Sequence, residues 1–222
     1  MIFGVDHLVL CGNRADLERL SSRLSPAGFV PVPGKLRFDE IGAHSESVAY
    51  RGGGFLEVVY EVRPGAAPRT WFDRPIPRVM GIGVSSDDFE HDTAGWLWTM
   101  DEEQALDDGS TLRIHAAGPH EHLSPLYLFA MDRRDRTLDH PDLGGLAELT
   151  SLTFGGQDAA LWRRQLDEWL GGSDAIGDVE LRFVEGDGPG AVVTPAFNVS
   201  AGAGIVPLAA GSIELVVQGS SG

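Results

Sequence analysis

Two glutamates and one histidine sit where apolar strands would not be expected to carry them. Glu57 lies at the centre of "GGGFLEVVYE" (residues 52–61), Glu214 lies at the centre of "AAGSIELVV", and His7 falls inside "VDHLVL". An extended chain points successive side chains to opposite faces, so Leu56, Val58 and Tyr60 share one face and Phe55, Glu57 and Val59 the other. A carboxylate on a covered face needs a hydrogen-bonded partner, a cation or a water-filled cavity, because burying it bare is costly. A neutral imidazole and two carboxylates brought together suit a divalent cation such as Zn, Mn, Fe(II), Ni or Co, with coordination positions left open for substrate. Taken singly, His7 also reads as a satisfied core histidine.

The elements that would position these groups come in a repeated order. Residues 2–10 form an apolar strand, and "GNRADLERLSSRL" forms a helix with Asn13 as N-cap and Leu17, Leu20 and Leu24 on one stripe. "GFVPVPG" is an edge strand by its prolines, and strands over 45–51 and 54–62 follow, giving β-α-β-β-β. The order returns near the end as "LAELTSLTF", the helix "DAALWRRQLDEWL", "VELRFV", "AVVTPAFNVS" and "GSIELVVQG". Laid over one another, the copies match Glu57 with Glu214 and His7 with Ser151. The expected units are therefore 1–62, a linker and degenerate middle βαββ segment over 63–147, and 148–222. In the middle segment "DFEHDTAGWLWTM" is expected to be helical. Two such units side by side, each strongly twisted, would curl into a cup with His7, Glu57 and Glu214 on its floor.

Composition narrows the partners. The 222-residue chain is 42% apolar, enough for one large domain or two small ones, and its 33 acidic against 17 basic residues give a formal net charge of −16. Polyanion binding rests on neutralising phosphates, so neither nucleic acid nor an anionic membrane surface is expected, and a small molecule is. Cys11 is the only cysteine, which removes disulfide and Cys-rich zinc frameworks, and it reads as a small buried residue. The N-terminus lacks a basic leader and no span is long and apolar enough for a membrane, so a cytoplasmic setting is expected.

Other residues are candidates for substrate contact: His44 in "IGAHSES", His140 in "LDHPDLGG", and Ser151 at the position matching His7. His120 and His122 in "AGPHEHLSP" read as a loop, while Trp71, Trp96 and Trp98 could line a pocket or fill the core. No Gly-rich phosphate loop, no G-x-S-x-G elbow and no sustained heptad is present.

At "DHLVL", "GGGFLEVV" and "GSIELVV" the chain resembles the vicinal oxygen chelate superfamily, the glyoxalase/bleomycin-resistance/extradiol-dioxygenase group, and "GAHS" and "DHPDLGGLAEL" resemble its longer glyoxalase-like proteins. The resemblance implies an α+β fold of paired βαβββ modules forming a curved mixed sheet, a cup with helices outside. It implies His7, Glu57 and Glu214 as ligands of a divalent metal, with Ser151 where a fourth ligand often stands. A metal polarising neighbouring substrate oxygens, with Glu57 or Glu214 moving a proton, would support isomerase, lyase or dioxygenase chemistry on a small oxygenated metabolite. The alternatives are a metal-free protein that sequesters a hydrophobic metabolite or antibiotic, and an interaction module with a vestigial cup. Either a monomer or a homodimer is compatible.

Overall fold

A computed structural model describes residues 2–66, 76–105, 111–119, 127–132, 143–187, 192–209 and 211–217. The first strand, β1 (Ile2–Gly12), leads into α1 (Arg14–Leu24). Asn13 caps that helix as expected: its side chain accepts from the Asp16 amide, Asp16 accepts from the Asn13 amide, and Leu17, Leu20 and Leu24 are buried. The chain then forms β2 (Val30–Pro31), β3 (Leu36–Phe38), β4 (Ala43–Ala49) and β5 (Phe55–Glu61). β2 lies at a sheet edge, where its proline needs no ladder donor.

The middle segment supplies β6 (Arg78–Ser86), a four-residue α2 (Phe89–Asp92), β7 (Trp98–Ala105), β8 (Thr111–Gly118) and β9 (Tyr127–Asp132). The helix expected through residue 100 stops early. Gly95 takes a left-handed conformation (φ 81°), and the chain is extended again from Trp98. Then come β10 (Glu148–Gly155), α3 (Ala159–Leu170), β11 (Ala175–Ile176), β12 (Val179–Val184), β13 (Val192–Val199), β14 (Gly204–Pro207) and β15 (Ser212–Val217). The short β3, β11 and β14 had no signature in the sequence, since such lengths cannot display alternation.

Among the described residues the strands form two mixed sheets. The first runs β2-β4-β5-β1-β6-β9-β8-β7, with β3 beside β4; the second runs β11-β12-β10-β13-β15-β14. The pairing of units differs from the one expected. The opening unit joins the middle segment rather than the closing unit, through an antiparallel seam of β1 and β6 from Ile2↔Ser86 to Cys11↔Arg78. On either side of that seam lie the parallel partners β5 and β9. The second sheet repeats these directions in reduced form: β12 is parallel to β10, β10 antiparallel to β13, and β13 parallel to β15. With β1 laid on β10, both of which shift register just ahead of His7 and Ser151, the strand of Glu214 matches β9, and the strand that matches Glu57's is β12. The sequence overlay of Glu57 on Glu214 therefore does not describe equivalent strands.

One face of the first sheet packs on α1 and on the second sheet. Leu8, Leu10, Leu56, Val58, Val79 and Ile82 join one apolar cluster with Leu17, Leu20 and Leu24 and with Phe197, Val199 and Ile213. Phe29, Tyr50 and Phe197 meet edge to face across the junction, with centroids 4.9 to 6.4 Å apart. The other face of the first sheet carries a smaller cluster of Val9, Cys11, Ala43, Val59 and Met80. No helix among the described residues is long and apolar enough to cross a membrane.

Candidate functional site

Alternation puts Leu56, Val58 and Tyr60 in the large cluster and Val59 in the smaller one, so Glu57 points to the face away from α1, as its strand position requires. β1 brings His7 to the same face, where its Nε2 lies 3.7 Å from Glu57 Oε2. Both residues are buried, at 5% and 6% exposure, so their polar atoms must be satisfied by protein or ligand. Glu57 Oε1 accepts from Ser45 Oγ at 2.5 Å. His7 Nδ1 lies 2.8 Å from Asp6 Oδ1, and Asp6 Oδ2 accepts from Ser85 Oγ at 2.8 Å. A buried polar chain thus crosses four adjacent strands, from Ser45 on β4 through Glu57, His7 and Asp6 to Ser85 on β6.

The walls of this site are apolar. The His7 ring stacks on Phe55 with centroids 4.5 Å apart and planes 5° from parallel, and Phe129 of β9 meets it edge on at 5.2 Å. Gly83 makes room for the ring: a Cβ there would come within 2.8 Å of His7 Cε1 and 3.0 Å of Phe129. Nearby, Cys11 is fully buried, and burial pushes its thiol up to about 12, which leaves it an inert packing residue.

Register shows what the second half of the sheet contributes. Facing the site from β6 are Gly81, Gly83 and Ser85, and from β9 Tyr127, Phe129 and Met131. None is a carboxylate or an imidazole. Among the described residues no group of three or more His, Cys, Asp or Glu converges to hold a metal ion. Among the described residues the donors are His7 and Glu57, with Asp6 engaged by the far side of the imidazole, and Phe129 rather than a further donor meets the ring from β9. This set does not fit the multidentate metal centre that the fold leads one to expect.

The other residues singled out by sequence lie elsewhere. Glu214 is exposed on β15 in the second sheet, paired in register with Ala196, so the expected trio of His7, Glu57 and Glu214 is not brought together. Ser151 is buried on β10, also in the second sheet. His44 pairs with Tyr60 in register and points to the opposite face from Ser45 and Glu57, with Nε2 3.8 Å from Asp39. Trp96 packs on Trp169 at 5.2 Å, and Trp98 lies in β7 at the sheet edge, with β8, β9 and β6 between it and β1. His140, His120, His122 and Trp71 fall outside the described residues. A separate cavity of ≈ 330 Å³, lined by Asp92, Trp169, Leu170, Ser173 and Ile176, shares no residue with the His7 site.

Sequence reasoning missed Asp6, Ser45 and Ser85. Asp6 was hidden because simple alternation assigns it to the face opposite His7. Ser45 and Ser85 are ordinary strand residues until the pairing of strands is known.

No family model and no curated protein matches the chain. Solved structures do. A hypothetical protein from Staphylococcus aureus matches over 97% of this chain and 99% of that chain, with a TM-score of 0.73 at 8% identity. A mutant of 4-hydroxymandelate synthase from Streptomyces coelicolor matches over 89% of this chain and 71% of that one, with a TM-score of 0.54 at 14% identity. Methylmalonyl-CoA epimerase from Mycobacterium tuberculosis covers 59% of this chain and 88% of its own, with a TM-score of 0.44 at 13% identity. At such identities a likeness speaks for architecture, not for chemistry. With its paired strands in two mixed sheets and few helices, the chain has the vicinal oxygen chelate fold.

Proposed function

We propose that this protein is an enzyme that moves a proton on a small, largely apolar oxygenated organic molecule, with Glu57 and His7 as its acid–base pair. The observation that carries this reading is the approach of His7 Nε2 to Glu57 Oε2 at 3.7 Å, beside the aromatic rings of Phe55 and Phe129 that meet the imidazole. That gap is longer than a hydrogen bond, so both atoms remain available to a proton brought between them. Desolvation strengthens their electrostatic effect on it. Glu57 would take or return the proton while Ser45 holds its second oxygen, and His7 Nε2 would accept that proton from Glu57 or hand it back. Phe55 and Phe129 would hold the apolar body of the substrate. Isomerisation, epimerisation and elimination next to a carbonyl all need such a pair.

A divalent metal would supply charge stabilisation to the same reactions, and the fold makes one an obvious expectation. The two donors among the described residues do not build such a site, so no step is assigned to one. The net charge of −16 argues for a small molecule and against nucleic acid as partner. Both halves of the β1–β6 seam come from one chain, so a monomer would suffice, and a homodimer remains compatible.

Incubation with a panel of small carbonyl and 2-hydroxy compounds in deuterium oxide tests the proposal. Deuterium should enter at the carbon next to the carbonyl, without added metal and unaffected by a chelator, and Glu57→Gln should abolish the exchange. Exchange that survives Glu57→Gln, or that appears only with stoichiometric divalent ion, overturns it. The second reading, sequestration of a hydrophobic molecule, is favoured by Gly83 and Phe129 standing where the second half could have offered polar groups. It predicts saturable binding with no exchange in any compound bound.

A further inference from the structure

We infer that Asp6 is a positioning residue for this site: through a bulge in β1 it binds Nδ1 of His7 and keeps the bare Nε2 facing Glu57. The inference rests on the acid–base reading above and adds to it a residue whose role there is orientation rather than contact with substrate.

Neighbouring residues of a regular strand point to opposite faces, so Asp6 and His7 could not meet without an irregularity. The pairing of β1 with β6 supplies it. Val5 opposes Val84 and His7 opposes Gly83, leaving Asp6 as the extra residue of a bulge. A bulge re-aims a side chain, and here it lets the Asp6 carboxylate reach Nδ1 of the very next residue at 2.8 Å. The carboxylate is held in turn by Ser85 Oγ at 2.8 Å, and its side chain is only 1% exposed. Stacking on Phe55 and the clearance at Gly83 fix the plane of the ring.

The chemical consequence follows from the donor inventory. An ionised carboxylate only accepts, so the proton of a neutral His7 ring resides on Nδ1 and the lone pair on Nε2. Two acceptors, Nε2 and Glu57 Oε2, then face one gap that a substrate proton can enter. With the opposite tautomer, Nε2–H would point at Glu57 and cap it. An orienting carboxylate plays the same part in hydrolytic triads, where it selects tautomer and orientation without itself being protonated.

Long-range proton–nitrogen correlation spectra of the full chain labelled with 15N-histidine read the tautomer of each ring, and His7 is assigned by the signals lost in His7→Gln. The spectra are taken at a pH where the ring is neutral. The expected wild-type pattern is a protonated Nδ1 and a bare Nε2, and Asp6→Ala should reverse it. A wild-type ring protonated on Nε2, or an Asp6→Ala ring that keeps its Nδ1 proton, overturns the inference. The wild-type spectrum decides even where Asp6→Ala does not fold. Deuterium exchange does not enter this measurement, so a failure of the acid–base reading and a failure of the Asp6 role are told apart.

Discussion

β1 and β10 open two sheets whose four central strands run in the same relative directions, yet β1 carries a buried imidazole, His7, where β10 carries the buried Ser151. Both strands shift register at matching points, between Val5 and His7 in one and between Leu149 and Ser151 in the other. In β1 the bulge region holds Asp6 and His7. In β10 it holds Thr150 and Ser151, and Thr150 Oγ1 only donates to the Ala196 carbonyl. The neighbouring parallel strand brings buried Glu57 to the first site. At the matching register of the second sheet stands Arg182, exposed and bonded to Glu180 at 2.7 Å. Opposite His7 is Gly83, and opposite Ser151 is Ala196. The difference teaches that the backbone scaffold was kept in both halves while the site was not. In these two pairs the residue across the seam is smaller where the side chain lying over it is larger.

Substitutions can break or sharpen that contrast. Glu57→Gln keeps the shape and the Ser45 contact but removes the base, so turnover should fall by about 100- to 10,000-fold while the circular dichroism spectrum is kept. If the protein unfolds instead, Glu57 is a structural residue and the contrast between the sheets is not one of function. Phe197→Ala removes a fully buried ring at the junction of the sheets and should cost about 3–5 kcal/mol in denaturant titration. A single cooperative transition should persist in that variant; two transitions would mean that the sheets fold separately. Gly83→Ala forces a Cβ against His7 and Phe129 and should cost about 1–3 kcal/mol together with loss of turnover. The reciprocal Ala196→Gly, beneath the smaller Ser151, should cost only about 0.5–1 kcal/mol and leave turnover unchanged. Glu214→Ala, at an exposed site of the second sheet, should change stability by no more than about 0.5 kcal/mol and leave turnover as it was. Loss of turnover in Glu214→Ala would return that residue to the site.

Local signals in the chain were enough for several elements. The Asn13 cap and the Leu17, Leu20 and Leu24 stripe specify α1, and the alternation through Phe55 to Tyr60 places Glu57 on the face away from it. His7 and Glu57 were legible as candidates because a polar group in an apolar strand is expensive unless it is used. Glu214 raised the same signal for a weaker reason: its strand is covered on one face only, and its side chain lies on the exposed one. His44 was singled out by residue type, whereas Ser45, its neighbour, is the one that faces Glu57.

The amino-acid order by itself determined the longer strands and the two long helices, because periodicity and capping act over a few residues. Only the tertiary structure decided which unit pairs with which, that Asp6 turns toward His7, and that Glu214 stands apart. Strand pairing and bulges are settled by packing between segments far apart in the chain, where a shift of one residue exchanges the two faces of a sheet.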